Sequence, residues 1–430
     1  DRGWMPAPER RTRLDLILAA LVAVAVLAVS TALWWTTDAR RTTLITAPGP
    51  EQVPAGGDLP SSLAEVWRAP SPATPVPLLQ GGIAVTGSGG VVAGRDVLSG
   101  AVRWSYQRDR PLCTVAAAFH QAVAVYQRGE TCSEVTALEW ADGRRGPQRT
   151  SPVQAPTRLA ANGNQVAASG QRYLEVWRSD LVRTLAYGQL PTPVKPGAQP
   201  RPECTHGSMA LGSAIGSGAI GSGAIGSGAI GSGAVESRGR LAVVEQCPGE
   251  RVRLTVQRSD PKEPDQPEVD FSTLLGGTQA RVVAVSRDRV AVALPDPARL
   301  VVLDKQGKAV AEHPLAVPNS DLQGNPPGGL VEVTVTPIQM YWFTGSATVA
   351  LDVTDLRPRW TRPGSLGSGS EVAGRLLLPV PGALAVLDPT TGQQVAALPV
   401  DREGYRGPVS TANSGGVVLE QRGATLVALR

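Results

Sequence analysis

The sequence predicts an all-β chain closed into a β-propeller of eight blades, with seven as the alternative, behind an N-terminal transmembrane helix. Three observations carry this. A strand-turn-strand phrase recurs as far as the C-terminus, its period falls in the propeller range, and a lone strand near the start supplies what the last copy lacks.

The phrase is fullest in GGVVAGRDVLSGAVRWSY, residues 89–106. An apolar strand reaches Asp96, a turn containing Gly100 reverses the chain, and a second strand carries Trp104, eight residues after the Asp. Asp and Gly supply the turn conformations that bulkier residues resist, and the alternation of apolar side chains gives each strand one buried face. TVALDVTDLRPRWT repeats the same spacing between Asp352 and Trp360, and LAVLDPTTGQQVAALPV keeps the turn with Asp388 and Gly392. LVVLDKQGKAVAEHPL, with Asp304 and Gly307, is a shorter-turned copy.

Copies beginning at Val91, Val135, Leu174, Leu254, Leu300, Thr348, Leu384 and Thr425 recur at roughly 40 to 50 residues, apart from an interval of 80 after Leu174. The final copy, ATLVALR, reaches Arg430 before a second strand, whereas AEVWRAP at 64–70 has no hairpin partner before it. The two are expected to pair and close the ring, removing the edges an open array would expose.

Residues 1–15 read as a cytoplasmic N-terminus and 16–35 as a transmembrane helix, LILAALVAVAVLAVSTALWW, uncharged throughout and of membrane-crossing length. Arg10, Arg11 and Arg13 before it favour a cytoplasmic N-terminus and an extracytoplasmic body, although Arg40 and Arg41 weaken the asymmetry. Trp34 and Trp35 sit where an interfacial aromatic belt belongs. A cleavable signal peptide is the competing reading, with Ala28-Val29-Ser30 as its small-residue site. Residues 36–62 read as a Pro/Gly-rich tether, and 63–430 as the propeller.

The four cysteines have matching contexts. Cys113 and Cys204 are each followed by Thr and an apolar strand, and Cys132 and Cys247 each close the segment before a turn, so 113 is expected to pair with 132 and 204 with 247. Disulfides fit an oxidising compartment. A metal site at Cys204 and His206 lacks the usual ligand spacing. Between the second pair, a five-residue Gly/Ser/Ala/Ile repeat matches neither strand nor helix periodicity. It is expected as a disordered loop at 207–236, and with its Pro-rich prelude it accounts for the interval of 80.

A net charge of +4 comes from arginines scattered along the chain, so nucleic acid is not expected as a partner. Gly-x-Ser-x-Gly, His-Glu-x-x-His and Walker patterns are absent from the sequence. No catalytic, cofactor-binding or metal-binding residue is therefore assigned and no cofactor is expected. Asp96, Asp304, Asp352 and Asp388 are read as turn residues.

The stretch AGRDVLSGAVRW resembles the PQQ-like β-propeller repeat, A-x-D-x-x-T-G-x-x-x-W, through Asp96, Gly100 and Trp104, with Ser99 in place of Thr. The resemblance implies that Trp67, Trp104 and Trp360 dock blades against one another. Within that group the chain looks most like non-enzymatic, membrane-anchored propellers of bacterial envelopes. It is also similar to alanine- and valine-rich membrane proteins of mycobacteria and related actinobacteria. This implies a protein-binding or scaffolding module with an envelope protein or glycan partner. The alternative is a PQQ-dependent or other quinone-type oxidoreductase, although the Cys-Cys dipeptide of that group's quinoprotein dehydrogenases is missing.

Overall fold

The computed structural model describes residues 12–48, 59, 61–192, 194–212, 239–414 and 416–430. Eight antiparallel sheets, seven of four strands and one of five, form an eight-bladed β-propeller. Blades 1 to 7 span 78–107, 112–150, 159–188, 205–274, 281–314, 332–363 and 370–399; blade 8 joins 409–429 to Glu65–Pro70. Each of the eight copies recognised in the sequence falls in the third strand of a blade. The ring closes where Glu65–Pro70 pairs antiparallel with Thr425–Leu429, setting Trp67 opposite Ala428.

Within each blade the first strand lies innermost and the chain steps outward. First strands of neighbouring blades touch, among them Leu78–Gln80 with Leu112–Ala118 and Val409–Ser414. The ring therefore has two faces. On one, which we call the entry face, the chain enters each blade and the second and third strands are joined. On the other, the turn face, lie the tight turns between third and fourth strands.

The core is a series of layers between blades. Val85, Trp104, Tyr106, Val115 and Tyr126 join blades 1 and 2, and Val283, Leu300, Met340, Trp342 and Val349 join blades 5 and 6. Alternating Val, Ala and Leu on the middle strands supply both faces of each blade, so these strands are buried almost throughout.

A single outer-strand defect recurs. In blades 1 and 3 to 8 the fourth strand carries a β-bulge at the same register, so that Trp104, Leu185, Phe271, Ala311, Trp360, Ala396 and Trp67 each follow an unpaired residue. A bulge bends its strand and spoils it as a template for another strand. The unpaired Val66, Val310 and Val395 point outward and are exposed.

The N-terminal helix runs Arg13–Thr36, somewhat longer than the apolar stretch, because Thr12 and Asp15 form a capping box ahead of it. It is long and apolar enough to cross a membrane. Arg40 lies over the rings of Trp34 and Trp35, 4.1 Å from each centroid.

Two expectations need correction. The segment read as a structureless tether contains a 3-10 turn, Asp38–Arg41, and a strand, Thr43–Ile45, which adds a fifth strand to the outer edge of blade 1 with Thr43 opposite Gln107. Backbone pairing with a free edge needs no periodicity, so the composition concealed it. The loop expected from 207 does not begin there, because Thr205–Gly212 is the first strand of blade 4. Its Met209 and Leu211 are buried between blades 3 and 4, and Ala210 between blades 4 and 5. The rest of that predicted loop, 213–236, lies outside the described residues, as do residues 1–11 of the N-terminal segment.

Candidate ligand site in the central channel

The turn residues have local roles. Asp96 Oδ1 accepts hydrogen bonds from the backbone N–H groups of Leu98 and Ser99 and from the Ser99 hydroxyl, at 2.9–3.1 Å. Asp388 repeats this with Thr390 and Thr391, Asp352 with Thr354 and Asp355, and Asp304 with Gln306 and Lys308. These contacts hold the turn carboxylates below their ordinary range at Asp388, chiefly through the Thr391 N–H. At Asp352, burial acts upward but is outweighed by bonds from Arg359, Thr354 and Asp355.

The three tryptophans lie on the turns of the next blade. The Trp104 indole is fully buried, donates to Trp140 O at 3.0 Å, and covers Gly143, where an added Cβ would stand 2.6 Å from the ring. Trp67 covers Gly100 and donates to Val97 O; Trp360 covers Gly392 and donates to Pro389 O. Phe271 covers Gly307 in the same way, a contact the sequence reading missed because a longer turn, 259–268, breaks the Asp-to-aromatic spacing.

Polar groups reinforce other junctions. Arg149 of blade 2 holds the fully buried Glu175 of blade 3 with two hydrogen bonds. Burial acts to raise the Glu175 carboxyl, but Arg149, Tyr173 and Trp177 keep it below its ordinary value. Between blades 7 and 8, Arg402 pairs with buried Glu420 at 2.7 and 3.0 Å. Glu245 feels Arg201 and Arg253 only through their charge. It accepts from Tyr187 and Thr255, and burial raises it toward the protonated form.

Both disulfides lie on the entry face: Cys113–Cys132 joins the first strand of blade 2 to the start of its third, and Cys204–Cys247 joins the approach to the first strand of blade 4 to the link between its second and third. Next to Cys204, His206 stacks on Tyr187 and shares its Nδ1 with Gly170 O at 3.2 Å. Its Nε2 is buried without a partner, and burial lowers the ring to about 4. Among the described residues no three His, Cys, Asp or Glu side chains converge in a metal-holding group.

The channel axis is occupied unevenly. The link from blade 5 to blade 6, residues 315–331, crosses the entry face. Leu322 is buried, Asp321 accepts from Thr344 and Ser346, and Gln323 O accepts from Arg281. Its far end, Pro327–Gly329, reaches the first strand of blade 4. Gly328 has φ +61° and lies so close to the Arg158 stem that an added Cβ would stand 2.4 Å away. This strap fills the side of the channel against blades 3 and 4.

On the other side, blades 6, 7, 8 and 1 enclose a cavity of about 240 Å³. Glu332 begins the first strand of blade 6 and accepts from the Ser368 N–H and hydroxyl at 3.0 and 3.1 Å. Burial raises its carboxyl, partly offset by Ser368, Ser410 and the positive charge of Arg158. Glu371 accepts from Tyr341 at 2.6 Å, and Asn413 donates to Glu371 O at 3.0 Å. Ser370 and Thr411 share a hydrogen bond at 3.2 Å, while Val76, Pro77 and Leu79 form an apolar wall. The sequence singled out none of these residues.

With this geometry the chain is an eight-bladed β-propeller whose channel is strapped on one side and open to a polar cavity on the other. No protein-family model matches the sequence, and no curated protein matches it. Among solved structures it is similar to BamB from Moraxella catarrhalis, at 11% identity over 86% of this chain and 99% of that one, with a TM-score of 0.50. It is also similar to Saccharomyces cerevisiae Sqt1, at 10% identity over 87% of this chain and 98% of the other, with a TM-score of 0.51. At such identities the likeness is one of fold.

Proposed function

We propose that the chain is a membrane-anchored extracytoplasmic propeller that acts as a protein-binding or scaffolding module in the bacterial cell envelope. The observation that carries this is the join between helix and ring. A helix apolar enough to span a bilayer ends at Thr36, and by Thr43 the chain is paired along the outer edge of blade 1. Arg41 adds an ion pair with Asp109 on the entry face. The ring is thus fixed close to one end of the helix, with the entry face of blade 1 nearest the membrane. Two disulfides fit the oxidising side.

Crosslinking in intact cells, followed by mass spectrometry of the purified full-length protein, tests this reading. Reproducible crosslinks from one set of propeller loops to an envelope protein are the expected result. Recovery of a chain cleaved after the helix, or a ring without any reproducible partner, would overturn it. A quinone absorbance appearing on addition of PQQ and Ca²⁺ would instead favour an oxidoreductase.

A further inference from the structure

We infer that the channel cavity between blades 6, 7, 8 and 1 binds a neutral, hydroxyl-rich ligand the size of one sugar ring. This rests on the reading of the chain as an envelope-binding module and assigns to its channel the recognition of a glycan unit.

The chemistry of the lining selects the class. Charged lining groups are Glu332 and Glu371, and no cationic side chain lines the cavity, so an anion would meet like charge. Arg158 acts on Glu332 from beyond the lining. A cation would need acceptors alone, yet the lining is dense in groups that both donate and accept: Ser368, Ser370, Ser410, Thr411 and the Asn413 amide. That mixture matches a ligand whose own groups are hydroxyls.

Position adds to composition. Glu332 is walled in and raised toward the acid form. One of its oxygens accepts from the Ser368 N–H and hydroxyl. Glu371 has one oxygen engaged by Tyr341, and its second is a strong acceptor for a ligand hydroxyl. Facing these, Val76, Pro77 and Leu79 offer an apolar wall. A pyranose has this division itself, with C–H groups on its faces and hydroxyls at its rim. About 240 Å³ is small beside the range of drug-sized pockets, which limits the occupant to one ring, such as the end of a longer chain.

The test is saturation-transfer NMR on the full-length protein in a detergent without a sugar headgroup. Methyl β-D-glucopyranoside and N-acetylglucosamine are the neutral probes, with glucuronate and glucosamine as the charged ones. Transfer to at least one neutral probe is expected, with competition between neutral probes and weaker signals from both charged ones. Glu371→Ala, which removes the proposed acceptor, and Ala412→Phe, which fills the cavity, should each lower affinity at least about tenfold. If Ala412→Phe misfolds, competition within the wild type decides the matter unaided. No transfer to any neutral probe at about 10 mM, or stronger binding of either charged probe, overturns the assignment. An envelope crosslink that persists in a protein failing this test would leave the scaffold reading standing and remove only the sugar site.

Discussion

At the scale of single residues, the ring depends on a few contacts whose loss is measurable. Trp104 fills the space over Gly143 with no exposure to solvent. Trp104→Ala should therefore lower stability by about 3–5 kcal/mol, read from the denaturant midpoint. Trp67→Ala and Trp360→Ala should cost less, since both rings are only half-buried. His206 makes a second prediction. Its folded value, about 4, lies below the ordinary 6.5, so the unfolded chain binds the extra proton between those limits. Stability is complete above pH 6.5 and falls as pH drops toward 4, by up to ~3 kcal/mol. His206→Gln should flatten that part of the stability profile. An unchanged slope would mean that other groups set it. Glu245 and Glu332 have the opposite sign, because their raised carboxyls favour the fold at low pH and lose that contribution as pH rises through their folded values.

At the scale of elements, the bulge explains which aromatic residues were legible. The interval of eight between Asp96 and Trp104 includes the extra residue of the bulge, Arg103, without which the indole would face the wrong side of the blade. The sequence displays that interval at Trp360 too, but a longer turn hides it before Phe271, and Ala311 and Ala396 occupy the position without an aromatic ring to mark it. Thr43–Ile45 was illegible for another reason: three residues on an edge take their conformation from Ser105, Tyr106 and Gln107, not from their own pattern. Leu44→Pro should detach this strand, leaving the melting temperature of the ring almost unchanged while opening 37–48 to limited proteolysis. The disulfides are a further test. Cys204→Ala with Cys247→Ala, opening a closure of 43 residues, should cost about 3 kcal/mol, and somewhat more than loss of Cys113–Cys132, which spans 19. Comparative denaturation of the two double variants checks the order.

At the scale of the whole molecule, repetition and closure were open to sequence reasoning because each blade announces itself with a local hairpin. The channel cavity was not. Glu332, Glu371, Asn413 and Leu79 come from four blades, and only the curvature of the ring brings them to one place. No local period records that meeting. The strap was equally hidden, since residues 315–331 gain their meaning from Arg158 and Gly207, far away in the chain. Deletion of 65–70 should abolish a single cooperative melt, because Thr425–Leu429 would be left with an unpaired edge and Trp67 would no longer cover Gly100.

That closing strand also sets an order of events during synthesis. Glu65–Pro70 leaves the ribosome early and, if the helix is held in the bilayer, waits beside the membrane until Thr425–Leu429 has emerged. Seven blades can assemble in succession behind the advancing chain, but the eighth cannot. The fold therefore makes closure its last event: until Thr425–Leu429 has been made, Glu65–Pro70 lacks its partner strand and Trp67 has no ladder to hold it over Gly100.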